Sequence, residues 1–250
     1  MAQQRARAAG GTLILRNDDL DGARCKPEFV AAMYEDLRWF GFEWSEGPDG
    51  GGPHAPYQQS ARIERYRVAL EQLKAANAVY PCTCSRKDIQ AAVTAPHAAD
   101  DEMIYPGTCR ANWVTTRMER PFCWRFRVPD GERVAFEDGR LGSQYFVAGR
   151  DFGDFVVWRP DDVPAYQLAS VVDDAEMGIT EVVRGADLLV STARQLLLSR
   201  VLKLAPPRYY HCELMRDESG TRLAKRHDAL SLRKLRQEGR LPAEIYLKWV

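Results

Sequence analysis

The sequence has no run approaching the roughly 18 apolar residues of a membrane-spanning helix, which excludes such a helix. Arg5 and Arg7 have no apolar core behind them, which excludes a secretory signal in this stretch. It carries no excess of either charge: Lys plus Arg and Asp plus Glu are both 35, so bulk charge points to no partner. There is no internal repeat of the kind that builds solenoids and no low-complexity tract. What is there is ordinary for a globular chain. Its 250 residues are 45% apolar and 28% charged, enough for one large domain or two modest ones.

Without a secretion signal, the cytosol is the default compartment and the six cysteines are expected as thiols rather than disulfides. Three of the six, Cys82, Cys84 and Cys109, fall within one stretch, "VYPCTCSRKD" followed by "YPGTCR". Cys82 and Cys84 flank one residue, so both thiols can face one point from a tight turn, and Gly107 permits a second turn before Cys109. Three thiolates and one further donor, His97 or Tyr105, would complete a tetrahedral zinc site. The alternative is three buried thiols acting as small apolar side chains. Charge is uneven only at the end: Arg216 to Arg240 holds eight Lys or Arg against four acids. That run suits either a polyanion or a solvated basic helix.

Along the chain, Arg5 to Ala9 reads as the end of a helix stopped by Gly10 and Gly11, and Thr12 to Arg16 as a buried strand. Pro27 to Phe40 spaces Phe29, Met33, Leu37 and Phe40 as a helix face, and Ser60 to Asn77 does so with Ile63, Tyr66, Leu70 and Leu73. Gly47 to Gly52 reads as a loop. Ala78 to Cys82 reads as a short strand, and Ser85 with Asp88 as a capping box. Residues 91 to 120 show little periodicity. Phe122 to Val128, Val134 to Val147 and Phe155 to Arg159 read as strands. Beyond Pro164 helix and strand alternate: Tyr166 to Val172, Ile179 to Val183, Ala193 to Leu204, Tyr209 to Met215. The expected architecture is an α/β body over 1–79 and 151–229, an insertion over 80–150 and a C-terminal helical segment over 230–250.

Three polar stretches sit at element ends, where α/β folds place ligands. "RNDDLD" sets Asp18, Asp19 and Asp21 past a strand, as a solvated turn or as a holder of an ammonium group or metal. Arg184 ends an apolar strand ahead of Gly185, so its guanidinium can take a carboxylate or phosphate by a bidentate pair. Alternatively it is tied to Asp173 or Asp174. In "GTRLAKRHDALSL", Lys225 and Arg226 can swing over a polyphosphate, or form a solvated basic loop.

In this order the stretches resemble the class I glutamyl-tRNA synthetases, and most of all their short branch, the glutamyl-Q tRNA(Asp) synthetases. The resemblance covers about Arg5 to the Leu230 region. "RNDDLD" is similar to R-I-E-D-[LI]-D, and "PCTC…YPGTC" to the family's zinc insertion. "VVDDAEMGITEVVRGADLLVSTARQ" matches the most specific run, and "RLAKR" stands where the family carries K-[ML]-S-K. Only 25 residues follow Lys225, which favours the short branch over enzymes with a large anticodon-binding region.

The resemblance implies a Rossmann-like catalytic domain with structural zinc on Cys82, Cys84, Tyr105 and Cys109. It makes Asp18, Tyr166 and Arg184 contacts to glutamate and Lys225 the ATP-binding, catalytic lysine. It further implies ATP with Mg2+, L-glutamate and queuosine-bearing tRNA(Asp) as partners, and a cytoplasmic monomer with no membrane. Alternatives are a clipped enzyme charging tRNA(Glu) or a non-catalytic tRNA-binding remnant. Asp18 stands where the family carries a glutamate, Arg222 for the first loop lysine and Ala224 for the loop serine. The family also opens on a strand and an H-[IVF]-G-[HS] motif, whereas His54, His97, His211 and His227 all lie far from the start. The expectation is therefore a longer natural chain, whose first strand is missing here.

Overall fold

The computed structural model describes residues 1–85, 87–89, 104–111, 120–214 and 231–249. In chain order the helices are α1 (Ala2–Ala8), α2 (Pro27–Trp39), α3 (Ile63–Ala75), α4 (Tyr166–Glu176), α5 (Leu189–Leu202), α6 (Leu232–Gln237) and α7 (Pro242–Trp249). The strands are β1 (Val79–Cys82), β2 (Cys123–Phe126), β3 (Arg133–Asp138), β4 (Gly142–Val147), β5 (Phe155–Trp158), β6 (Glu181–Gly185) and β7 (Arg208–Cys212). Two compact units result: 1–61 with 212–250, and 62–211.

In the first unit, the expected strand over 12–16 forms only isolated parallel bridges, Ile14 with Glu46 and Asn17 with Gln58. The backbone changes partner within four residues. Leu15 N–H donates to Glu46 O at 2.9 Å, whereas Asn17 N–H donates to Tyr57 O at 2.9 Å, so neither ladder lengthens into a regular strand. Helix α2 starts at Pro27, where a missing N–H costs nothing. Its buried face differs from the apolar stripe that spacing suggests. Ala32 and Asp36 are buried, whereas Phe29 is 57% exposed. The cause is a charged partner: Arg236 of α6 lies 3.3 Å from Asp36 and Arg233 3.5 Å. Part of the C-terminal basic run therefore neutralises α2. Gly52 is required beside it, because at φ +138° any Cβ would meet Tyr57 Oη at 2.3 Å.

The second unit holds two sheets. Strands β1, β2 and β5 form an antiparallel sheet in the order β1-β2-β5. The other sheet runs β4-β3-β7-β6, with β3 and β4 an antiparallel hairpin and Asp138 of β3 pairing in parallel with Tyr209 of β7. Helix α3 delivers the predicted face: Tyr66, Leu70 and Leu73 are buried. Helices α4 and α5 supply Leu168, Ala169, Ala193 and Leu198, all sealed from solvent. Such a core anchors the two clusters of polar side chains described next.

Candidate active site and metal centre

The β1 strand ends on Cys82, and the irregular backbone that follows carries Cys84 beside it. Tyr105 and Cys109 arrive from 104–111, held close by Gly153, where a Cβ would lie 2.8 Å from Ile104 Cγ2. The three thiol sulfurs all lie within 4.8 Å of one another, Cys84 and Cys109 at 3.5 Å. Tyr105 Oη lies 3.3 Å from Cys82 Sγ and 3.5 Å from Cys84 Sγ, and it accepts the Cys109 N–H at 2.8 Å. Sulfurs bound to zinc at ~2.3 Å in a tetrahedron sit about 3.8 Å apart, so these donors fit that ion with small adjustments. His97 falls outside the described residues.

Arg125 completes the cluster, and sequence reasoning missed it. Its buried guanidinium donates from Nε to Cys82 Sγ at 3.3 Å and lies 4.1 Å above the Tyr105 ring. Hydrogen bonding with Cys123, then Tyr105 and Arg125, holds the Cys82 thiol down to about 4. Burial pushes Cys84 up to about 11. These contacts favour the thiolate form at Cys82 and disfavour it at Cys84. Behind it, Asp154 accepts from Tyr80 Oη at 2.5 Å and Val128 N–H at 2.8 Å, tying β1, β2 and β5 together.

The second cluster surrounds Arg184 of β6. Arg184 Nη2 donates to Thr192 Oγ1 at 2.6 Å, Nη1 to Gln195 Oε1 at 2.8 Å, and Nε to His211 Nε2 at 3.2 Å. Its guanidinium lies 5.0 Å above the Tyr209 ring. A guanidinium only donates, so His211 Nε2 must accept, which makes the ring neutral with its proton on Nδ1. That proton faces Asp138 Oδ2 at 2.6 Å. Burial alone would raise the Asp138 carboxyl, but hydrogen bonds from His211, Leu141 and Arg140 hold it below its usual range.

The three partners of Arg184 are therefore uncharged. Among the described residues these bonds use three of its five N–H groups, and two are left to offer a carboxylate. Beside it, Gln195 Nε2 is a buried donor without a partner among the described residues. An Arg184 tie to Asp173 is not formed, since that carboxylate accepts from Arg62 and Tyr66.

Tyr166 opens α4 and is 42% exposed. Burial pushes the Tyr209 phenol up to about 12; the Arg184 charge opposes this, and Asp174 and then Tyr166 add to it. Asp18 lies in the first unit, where Arg16 Nε donates to it at 2.9 Å. Its neighbour Asp19 accepts from Ser60 N–H at 2.8 Å and Ser60 Oγ at 2.7 Å. Lys225 falls outside the described residues. Thr192 and Gln195 stand in the quoted "TARQ" run, but Asp138 left no signal in a hairpin sequence 73 residues from His211.

The family model of class I tRNA synthetases (E and Q), catalytic domain, matches residues 1–248. The chain belongs to this family. A glutamyl-Q tRNA(Asp) synthetase of Nitratidesulfovibrio vulgaris is 47% identical over 98% of the chain and 77% of its own length. A glutamate–tRNA ligase of Nitrosococcus oceani is 41% identical over 96% of the chain, which spans 52% of that ligase. Among solved structures, the glutamate–tRNA synthetase of Elizabethkingia anophelis superposes with a TM-score of 0.74 at 28% identity. That match covers 87% of this chain and 46% of the other. The fold is accordingly the mixed α/β catalytic domain of class I synthetases, with a cysteine cluster able to hold a metal. Among the described residues no helix is long and apolar enough to cross a membrane.

Proposed function

We propose that this chain activates L-glutamate with ATP and passes it to queuosine at the first anticodon position of tRNA(Asp). The observation that carries the reading is Arg184, whose charge is cradled by neutral acceptors with two N–H groups left for a substrate carboxylate. The Gln195 amide beside it, without a partner among the described residues, supports a polar ligand. The family resemblance assigns Tyr166 and Asp18 as further contacts to glutamate, Asp18 toward the α-amino group. Lys225 neutralises the phosphates. Zinc on Cys82, Cys84, Tyr105 and Cys109 holds the insertion, and Mg2+ bound with ATP would add charge screening at the phosphates.

In the first step an α-carboxylate oxygen of glutamate attacks the α-phosphorus of ATP. The bond to the β-phosphate oxygen breaks and pyrophosphate leaves with its electron pair. In the second step a queuosine hydroxyl attacks the carbonyl carbon of glutamyl-adenylate. AMP departs with the bonding pair, and the hydroxyl proton passes to solvent. The residues contribute orientation and fixed charge rather than covalent chemistry. The cytoplasm is the compartment in which such tRNA is used.

The tRNA(Asp) branch is supported by likeness: the chain is 47% identical to the glutamyl-Q relative and 41% identical to the glutamate–tRNA ligase. The test is glutamate-dependent ATP–pyrophosphate exchange without tRNA, followed by transfer to tRNA(Asp) with and without queuosine and to tRNA(Glu). A glutamyl group on the anticodon base supports the reading. Charging of the 3′ end of tRNA(Glu) favours the clipped-ligase alternative, and RNA binding without exchange favours the remnant.

A further inference from the structure

We infer that Asp138 and His211 form a positioning chain that sets the orientation of Arg184 for its carboxylate ligand. The inference deepens the glutamate reading of Arg184 and rests on it. It joins two strands of the four-stranded sheet to a third: Asp138 ends β3, His211 lies in β7 and Arg184 in β6. Both Asp138 and His211 side chains are fully sealed from solvent, at 0% exposure each. The order of charge along the chain is carboxylate, neutral imidazole, guanidinium.

Each link dictates the next. Asp138 Oδ1 accepts from the Arg140 N–H at 3.0 Å and the Leu141 N–H at 2.9 Å, so the turn after β3 clamps the carboxylate. Its other oxygen takes the Nδ1 proton of His211 at 2.6 Å. That leaves a lone pair on Nε2, and two donors face it. Arg184 Nε–H lies 3.2 Å away, and the Thr192 hydroxyl lies at 3.1 Å. The ring is further held by Tyr209, stacked at 6.2 Å with an interplanar angle of 20°. With Nε tied to His211 and Nη2 tied to Thr192, the guanidinium cannot rotate about its own plane. The remaining N–H groups then keep one direction.

The tautomer is the device. An Asn at position 138 can still accept the Arg140 and Leu141 N–H groups through its oxygen. Its amide nitrogen would face His211 Nδ1 and donate to it, at the loss of the hydrogen bond that Oδ2 accepts from the His211 backbone N–H at 3.1 Å. The ring proton would then sit on Nε2, pointing at Arg184 Nε–H, and the two donors would repel. A carboxylate that served packing alone would have no such effect on the ring.

The experiment compares the unsubstituted chain with Asp138→Asn and His211→Gln. Imidazole nitrogen resonances of 15N-labelled protein report the tautomer, calorimetry with L-glutamate the affinity, and thermal unfolding the fold. The chain predicts a protonated Nδ1 and a bare Nε2 in the wild type, reversed in Asp138→Asn. Glutamate affinity falls roughly ten-fold or more in that variant, the loss of one well-directed charged hydrogen bond. His211→Gln places an amide oxygen where Nε2 was, so it retains affinity within a few-fold despite losing Asp138.

A wild-type ring protonated on Nε2 overturns the inference. So does a reversed tautomer with unchanged glutamate affinity. If the wild type shows the stated tautomer but binds no glutamate, the hydrogen-bonded chain stands. The glutamate reading then falls, and the positioning role assigned here falls with it.

Discussion

Arg62 Nε lies 2.7 Å from Asp173 Oδ1, and the two side chains are 1% and 0% exposed. Arg62 also reaches Glu176 at 2.7 Å, while Tyr66 donates to Asp173 at 2.8 Å. This ion pair joins the start of α3 to the end of α4. It gives the first aspartate of the "VVDDAE" run a structural partner rather than a free carboxylate for chemistry. Buried pairs gain little over apolar replacements, but removing one member strands the other. Arg62→Met is therefore expected to cost about 3–5 kcal/mol, read as a lower urea midpoint. The folded fraction should bind glutamate nearly as the wild type does.

Arg184 should behave in the opposite sense. Arg184→Lys keeps the charge but loses the planar fork that serves three acceptors and a ligand together. Glutamate affinity is expected to drop about 10–100-fold, the worth of charge-assisted hydrogen bonds. Arg184→Ala adds a folding cost of ~1–3 kcal/mol, because Gln195 and Thr192 lose their donor in a buried setting. Calorimetry with glutamate, alongside thermal unfolding, separates the two effects. Unchanged affinity in both variants would remove Arg184 from the pocket.

The cysteine cluster predicts one zinc per chain, seen by native mass spectrometry. Cys84→Ser or Cys109→Ser should abolish that mass increment. Tyr105→Phe should weaken retention without abolishing it, since three sulfurs remain. Chelation should lower the unfolding temperature, because metal binding at such a site is also folding free energy. A protein free of metal as isolated, and unaffected by added zinc, would return the thiols to simple packing.

Glu46 predicts an acid-sensitive limb of stability. His54 Nδ1 lies 2.7 Å from its carboxylate and Tyr57 Oη donates at 2.7 Å. The hydrogen bonds from His54 and then Tyr57 hold its pKa below 4.5 in the folded chain. A depressed carboxyl stabilises the fold above its unfolded value, and the benefit fades as pH falls through the folded one. Glu46→Gln should therefore be less stable at neutral pH yet lose less on acidification. Urea midpoints across pH 3–7 would show the flatter slope; parallel curves would discount Glu46.

Local spacing made much of this molecule legible. The three-residue offset of Ser85 and Asp88 is a capping box in the structure, with Asp88 N–H on Ser85 Oγ at 3.2 Å. The strand-like stretch over 134–147 is the β3–β4 hairpin, and the thiol spacing is a real convergence of sulfurs. Spacing failed where a partner outside the local window decided the outcome. Phe29 is exposed because α2 turns Asp36 towards arginines about 200 residues away. The 12–16 segment is not a regular strand because its pairing changes from residue 46 to residues 57–59.

By itself the sequence determined what depends on neighbours in the chain: helix and strand periods, the spacing that pairs Cys82 with Cys84, and the motifs that place the chain in its family. These follow from backbone geometry, which repeats over a few residues. Only the tertiary structure decided which charges meet. Arg62 found Asp173 across 111 residues, Arg125 found Cys82 across 43, and Asp138 found His211 across 73. Such pairs are set by burial. Once packing removes water, each charged or polar group must be matched by whatever side chain the fold brings within reach.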